Sequence, residues 1–311
     1  MYSPLEQCGY LCGIDKADFS ALFPMGADPD NSPPIGGDCL DLMLVSSDQT
    51  FYHVDRLQLM CISDNDFAGL LIGNDTPITL TEPASVLSLL VHIIYGMSCL
   101  HLAPSLETTE AALDALVKYG VSPSLNASPG QPLYQLLLLH APHCPIDAYA
   151  LAGHHGLDDA AAVISGHLLA YDTSELSDAL VTKMGPVYFC RLLCLHQNRL
   201  SALKSIVLRP PGQHPPTPAC DEGAPSRTDL AAAWAFALAQ LVWDMSPAQM
   251  LMTAPAISTN TLRRTFENTD KPSMCCKCHA MLETRIGEVC EAWAAVKVRA
   301  RVPAATSTHT G

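Results

Sequence analysis

From Asp41 to Leu59 the chain reads DLMLVSSDQTFYHVDRLQL, and its apolar positions change period twice within that stretch. The continuous run LMLV, set between Asp41 and the polar SSDQ, predicts a strand buried on both faces and followed by a turn. Next, TFYHVD alternates Phe51, His53 and Asp55 against Tyr52 and Val54, the pattern of a half-buried partner strand. A third strand is predicted in PITLTEP, where Ile78 and Leu80 alternate with Thr79 and Thr81 between two prolines. Residues 56–77, between the second and third strands, carry Leu57, Leu59, Met60, Phe67, Leu70 and Leu71, enough for two short helices.

Beyond the third strand the period becomes helical. ASVLSLLVHIIYG places Leu87, Leu90, Val91 and Ile94 on one face and stops at Gly96. ETTEAALDALVKYG repeats the design with Leu113, Leu116 and Val117 inward and Gly120 as the stop. Residues 38–125 therefore predict the order β-β-α-α-β-α-α, with Leu44, Phe51, Leu57, Leu90 and Ile94 in the core. From Gln131 onward only helices are predicted. Pro145 opens one that ends at Gly156, Asp172 and Glu175 form a capping box before LSDALVTKM, and Pro186 stands at the first position of a long run, residues 187–208. That run has Phe189, Leu192, Leu193, His196, Leu200 and Leu203 on its apolar side.

Six prolines between Pro210 and Pro225 then exclude helix, and a last helical region holds Trp234, Trp243 and Trp293. The fold class expected is α+β: a small three-stranded sheet covered by helices, followed by an all-helical C-terminal region. In residue terms, 1–37 form a disordered lead rich in Gly, Pro and Asp, 38–125 the sheet-bearing domain and 126–208 a helical region. A Pro-rich loop occupies 209–226, a second helical region 227–301 and a disordered tail 302–311.

Charge narrows the partners. Seventeen basic against 31 acidic residues give a formal charge of −14, which argues against nucleic acid, since phosphate binding needs clustered Lys and Arg. The longest uncharged apolar stretch, residues 230–243, is too short to span a bilayer, and no signal peptide is recognised at the start. Thirteen cysteines, an odd number, fit buried thiols in a reducing compartment better than a disulfide framework; Cys61, Cys99, Cys190 and Cys194 occupy apolar positions of this kind. The expected location is intracellular, cytoplasmic or nuclear.

Phosphate loops, dinucleotide fingerprints, nucleophile elbows and zinc-protease motifs are absent from the sequence, which weighs against an enzyme. His53, on a strand, reads as a structural residue rather than a base. One spacing stands out: MCCKCH places Cys275 and Cys278 two residues apart, a separation that lets two thiolates wrap one ion, with Cys276 and His279 alongside. Zinc requires four such donors, and His214 and Cys220 of HPPTPAC are the residues that could complete the set across the fold. No other cofactor is expected.

The strand and helix order, with DLMLVSSDQTFYHVDRLQLMCISDNDFAGLLIG and PITLTEPASVLSLLVHIIYG, resembles a BTB/POZ domain. Together with ETTEAALDALVKYGV, PLYQLLLLHAP, DAYALAGHHGLDDAAAVISGHLL, MGPVYFCRLLCLH, HPPTPACDE, AAAWAFALAQLVWD and CKCHAMLETRIGEVCEAWAAVK, it resembles one branch of the large BTB family of mushroom-forming fungi. That resemblance implies a protein-interaction adaptor or scaffold without catalysis, able to pair with itself as a homodimer, and for some members a link to cullin ubiquitin ligases. Two departures stand in the sequence: HVDRLQLMCISDNDF only approximates the family's first-helix motif, and LLIGNDTP lacks the apolar-x-Glu element that cullin adaptors present. The exposed part of the first-helix region, Asp55, Arg56 and Gln58, is the expected interaction surface. A second reading stays open, a zinc-stabilised regulatory or transcription-associated protein using Cys275 and Cys278.

Overall fold

The structure, a computed structural model, describes residues 41–73, 77–218, 220, 225–243, 257–268 and 274–300. The expected lead 1–37 and tail 302–311 lie outside them, as does the side chain of Trp243. The chain is mostly helical with a small mixed sheet, an α+β architecture. It divides into two compact units. Unit 1 runs to Cys144 and adds His154–Ala160, so it extends beyond residue 125; unit 2 comprises Pro145–Gly153 and the chain from Ala161 onward.

In unit 1, β1 (Leu42–Val45) lies at the centre of the sheet, in the order β2-β1-β3. Antiparallel pairing with β2 (Phe51–Val54) sets Leu44 opposite Tyr52, and parallel pairing with β3 (Ile78–Thr79) sets Leu44 opposite Ile78. Leu42, Leu44 and Val45 are buried, as a central strand of continuous apolar character should be. β2 turns Tyr52 and Val54 inward and leaves Phe51 and His53 exposed, so the expectation of a core Phe51 is corrected. The Tyr52 hydroxyl fixes that register by reaching Ser88 Oγ at 2.8 Å and the Ala84 carbonyl at 3.0 Å; a period of two then leaves Phe51 no way inward.

α1 (Arg56–Ile62) is a single helix, and among the described residues between it and β3 the second one expected is not found. Asp66, Phe67, Ala68 and Gly69 instead turn left-handed, with φ of 52°, 57°, 57° and 77°. Side-chain bonds compete with the helical ladder here. Ser63 Oγ accepts from the Phe67 N–H at 2.7 Å while donating to the Tyr119 carbonyl at 2.7 Å, and Asn65 Oδ1 accepts from the Ala68 N–H at 2.8 Å. Phe67, wholly buried, stacks on Tyr119 with ring centroids 4.3 Å apart, and that burial offsets the backbone strain.

Two helices cover the sheet, α2 (Ala84–Ile94) and α3 (Leu106–Lys118), with Leu87, Leu90, Leu113 and Leu116 fully buried and Val117 turned outward. Gly120 ends α3 at φ 70°, where a Cβ would stand 2.4 Å from Asn65 Oδ1, so both conformation and space require glycine. Beside it Lys118 pairs with Glu82 at 2.6 Å, and the Tyr119 hydroxyl donates to the same carboxylate. Burial pushes the Glu82 carboxyl upward, but these two donors outweigh it and hold it below its usual value. α4 (Pro132–His140) completes the unit; its His140 meets Thr109 of α3 at 3.0 Å.

The described residues of unit 2 are mostly helical, with an irregular proline-rich segment after residue 208. α5 (Pro145–His154), in this unit up to Gly153, bears Tyr149, whose hydroxyl donates to the Tyr188 carbonyl at 2.9 Å, and α6 (Asp158–Ile164) belongs to it from Ala161 onward. Asp172 caps a 3-10 turn, Thr173–Glu175, rather than the α-helix expected there; Ser177 caps α7 (Asp178–Val207) by accepting from the Leu180 N–H. α7 breaks at Gly185, whose φ of 76° and ψ of 162° are not helical, and resumes at Pro186 as the proline predicts. α8 (Pro225–Trp243), α9 (Thr259–Glu267) and α10 (Cys276–Ala294) enclose a core with the end of α7. Trp234 stacks on Phe266 at 4.1 Å and donates from Nε1 to the Val207 carbonyl at 3.0 Å. Trp293 donates to the Ile257 carbonyl at 2.7 Å and carries the Arg199 guanidinium over its ring. Of the four cysteines expected inside, only Cys99 is buried; Cys61, Cys190 and Cys194 are exposed, because helical period outranks residue preference at those positions.

Candidate functional site

Four donors gather in unit 2. His214 Nε2 and the sulfurs of Cys220, Cys275 and Cys278 all lie within 4.8 Å of one another. These are the four residues expected from the sequence, brought together from segments about sixty residues apart. Cys275 is the N-cap of α10, with its sulfur accepting the Cys278 N–H at 3.3 Å. Cys278, one turn into the helix, points inward and is 1% exposed. The Cys-x-x-Cys spacing thus does two things at once: it caps a helix and sets two sulfurs on its first turn.

The other two donors come from the proline-rich segment. It is irregular because its prolines lack N–H donors, yet it is tied down. Arg285 of α10 donates from Nη2 to the Ile206 carbonyl at 2.7 Å and from Nε to the Arg209 carbonyl at 3.1 Å, which fixes the start of the segment. Gly212 lies so close to α10 that a Cβ there would meet Met281 Cε at 3.0 Å. Cys220 is held by a backbone bridge: it and Thr217 exchange hydrogen bonds of 2.9 and 2.8 Å. His214 is buried, and its Nδ1 stands 2.7 Å from the Pro215 carbonyl. A carbonyl only accepts, so Nδ1 carries a proton, and Nε2 is the ring nitrogen that faces the sulfurs.

From Nε2 the Cys275 sulfur is 3.2 Å away and the Cys278 sulfur 3.4 Å, while the Cys220 and Cys278 sulfurs are 4.0 Å apart. Hydrogen bonds from the backbone, chiefly from the Cys278 N–H, hold the Cys275 thiol below its ordinary value. Burial, with the neighbouring thiols adding to it, pushes Cys278 up to about 12. Cys276 and Lys277 face outward on the same turn, and His279 pairs with Glu283 at 3.8 Å, so the adjacent Cys and His of MCCKCH are directed elsewhere.

The expected interaction residues are in unit 1, and two of them serve the fold. Asp55 is the N-cap of α1, accepting from Leu57 and Gln58 N–H groups at 2.8 and 3.2 Å. Arg56 donates to the Leu71 and Gly73 carbonyls at 3.0 and 2.7 Å. Gln58 is half-buried. The outward face of α1 is apolar instead: Leu57, Met60 and Cys61, at i, i+3 and i+4, are all exposed, Leu57 at 70%. This corrects the expectation of a core Leu57; Leu59 is the residue that α1 buries. Phe51 of β2 and Ile72 of the segment gripped by Arg56 are exposed as well. The sequence carried this signal as more apolar residues, Leu57, Leu59, Met60, Cys61 and Ile62, than a seven-residue helix can bury on a single face.

A second group, Asp114 with His154 and His155, lies in unit 1, with His155 Nε2 3.7 Å from Asp114 Oδ1. Asp114 and His154 are exposed, the common state of a surface acid beside histidines at a helix end. Among the described residues no helix is long and apolar enough to cross a membrane. No family model, no curated protein and no solved structure matches the chain.

Proposed function

We propose that the protein is a non-catalytic protein–protein interaction module, a BTB-like adaptor or scaffold that associates with a second copy of itself through the outer face of α1. The observation that carries this reading is that face: Leu57, Met60 and Cys61 point outward in a chain of charge −14, where most exposed surface repels its own copies. An apolar helix face is self-complementary under a two-fold axis, so one patch serves both partners. The order of unit 1, two strands, a helix, a third strand parallel to the first and two covering helices, supports the BTB-like identity. The left-handed turn at Asp66–Gly69 replaces one helix of that pattern without disturbing the sheet.

Sedimentation equilibrium of the full chain tests this directly. The wild-type protein is expected to sediment as a dimer at concentrations of about 10 μM, and Leu57→Asp with Met60→Asp as a monomer with unchanged circular dichroism. A wild-type chain that stays monomeric across that range rejects the self-association, and a double variant that remains dimeric moves it off α1.

A further inference from the structure

We propose that His214 Nε2 and the thiolates of Cys220, Cys275 and Cys278 hold one structural Zn²⁺ ion that pins the proline-rich segment to the first turn of α10. Zinc bonds of about 2.3 Å to sulfur and about 2.0 Å to nitrogen, in a tetrahedron, put sulfurs about 3.8 Å apart and nitrogen about 3.5 Å from sulfur. The separations here are 4.0 Å for a sulfur pair and 3.2 and 3.4 Å for nitrogen to sulfur. Donors so close fit the coordination sphere of a single ion. A binuclear iron–sulfur cluster would hold its ligand pairs wider apart, one pair on each iron.

Three independent features match what a zinc ligand set needs. The histidine is fixed in the correct tautomer by the Pro215 carbonyl, the outer-shell bond that orients a metal-binding imidazole. Cys275 receives the Cys278 N–H at the positive end of a 19-residue helix, which favours a thiolate. The soft donor set, three sulfurs and an imidazole, selects zinc over the hard cations that prefer oxygen. Four protein donors also close the tetrahedron, so the ion has no open position for a substrate and its role is structural.

What the ion would do follows from what it joins. Residues 210–216 have no regular secondary structure, and Cys220 and Cys278 belong at once to the cluster and to the apolar core of unit 2. One ion at this point cross-links a segment that cannot form backbone ladders to the helix that carries Leu282, Ile286 and Trp293 into that core. The inference does not rest on self-association, because it concerns unit 2 alone.

The test is metal analysis of the full chain, purified through a tag that binds no metal and under a reducing agent that does not chelate. About one equivalent of zinc per chain is expected. Replacement by Co²⁺ should give the visible bands of tetrahedral cobalt and a sulfur-to-cobalt charge-transfer band. Cys276→Ser and His279→Ala, neighbours outside the cluster, should keep the full equivalent, whereas Cys278→Ser and His214→Ala should lose it. His214→Cys guards against simple misfolding: it should retain the metal and raise the charge-transfer intensity by about one third, as four sulfurs replace three. Zinc below about 0.2 equivalents, with no cobalt charge-transfer band after reconstitution, overturns the proposal. So does equal loss of metal in Cys276→Ser and Cys278→Ser.

Discussion

The two units solve the same problem with different means. Unit 1 orders its irregular segment, residues 63–72, with hydrogen bonds and one aromatic stack: Ser63 and Asn65 hold the turn and Phe67 seals it against Tyr119. Unit 2 has an irregular segment of similar size at residues 209–218, but its prolines lack the N–H groups from which such a network is built. There the segment is held by Arg285 on its carbonyls and by four metal-type donors. A segment rich in donors can be fixed by its own side chains, whereas one poor in donors needs a cross-link from outside the hydrogen-bond ladder.

The comparison breaks most visibly under a chelator. Structural zinc sites contribute on the order of 10 kcal/mol of apparent binding energy to small domains, more than the typical stability of a whole domain. Prolonged dialysis against a strong chelator should therefore strip hydrogen-exchange protection from α10 and residues 206–220. The amides of α2 and α3 should stay protected. Equal loss in both units would mean that they unfold as one cooperative body, and equal retention would leave the cluster with no part in stability.

A core substitution in unit 1 sharpens the contrast from the other side. Leu90 is fully buried in α2, and Leu90→Ala should cost about 2–5 kcal/mol through lost transfer energy and a residual cavity. The denaturation midpoint of unit 1 should fall while the zinc content of the chain stays at the wild-type value. An unchanged midpoint would reject the packing assigned to α2.

The unequal legibility of the two regions has the same origin. Period alone located β1, β2, β3 and the helices over Leu87–Ile94 and Leu113–Leu116, because the apolar residues there are numerous and agree. It failed at Leu57 and Phe51, where an apolar residue faces outward, and at residues 66–69, where Ser63 and Asn65 redirect the backbone through bonds that no periodicity records. In unit 2 the Cys275 and Cys278 pair was legible from spacing, since two thiols one helical turn apart are a local fact. His214 and Cys220 could only be nominated by chemistry, because their approach depends on how the chain returns after some sixty residues. Asp55 and Arg56 were read as surface contacts because charge suggests exposure; both are spent on capping α1 and on the Leu71 and Gly73 carbonyls.

Acid offers the smallest and most selective probe of unit 1. His140 is buried beside Thr109, whose hydroxyl donates to the Ser105 carbonyl at 2.9 Å and so accepts from His140 Nε2 at 3.0 Å. His140 Nε2 therefore carries a proton. Burial first, and the neighbouring His143 second, hold its pKa below 6.5. A depressed histidine binds protons more readily in the unfolded chain, so its contribution is complete above the unfolded value and is lost as pH falls through the folded one. His92, also lowered by burial, acts in the same direction. His140→Gln retains an N–H donor toward Thr109 but cannot titrate, so the fall in unit 1 stability between about pH 7 and about pH 5 should become shallower without vanishing. A variant as acid-sensitive as the wild type would place the titration entirely on His92 and on groups other than His140.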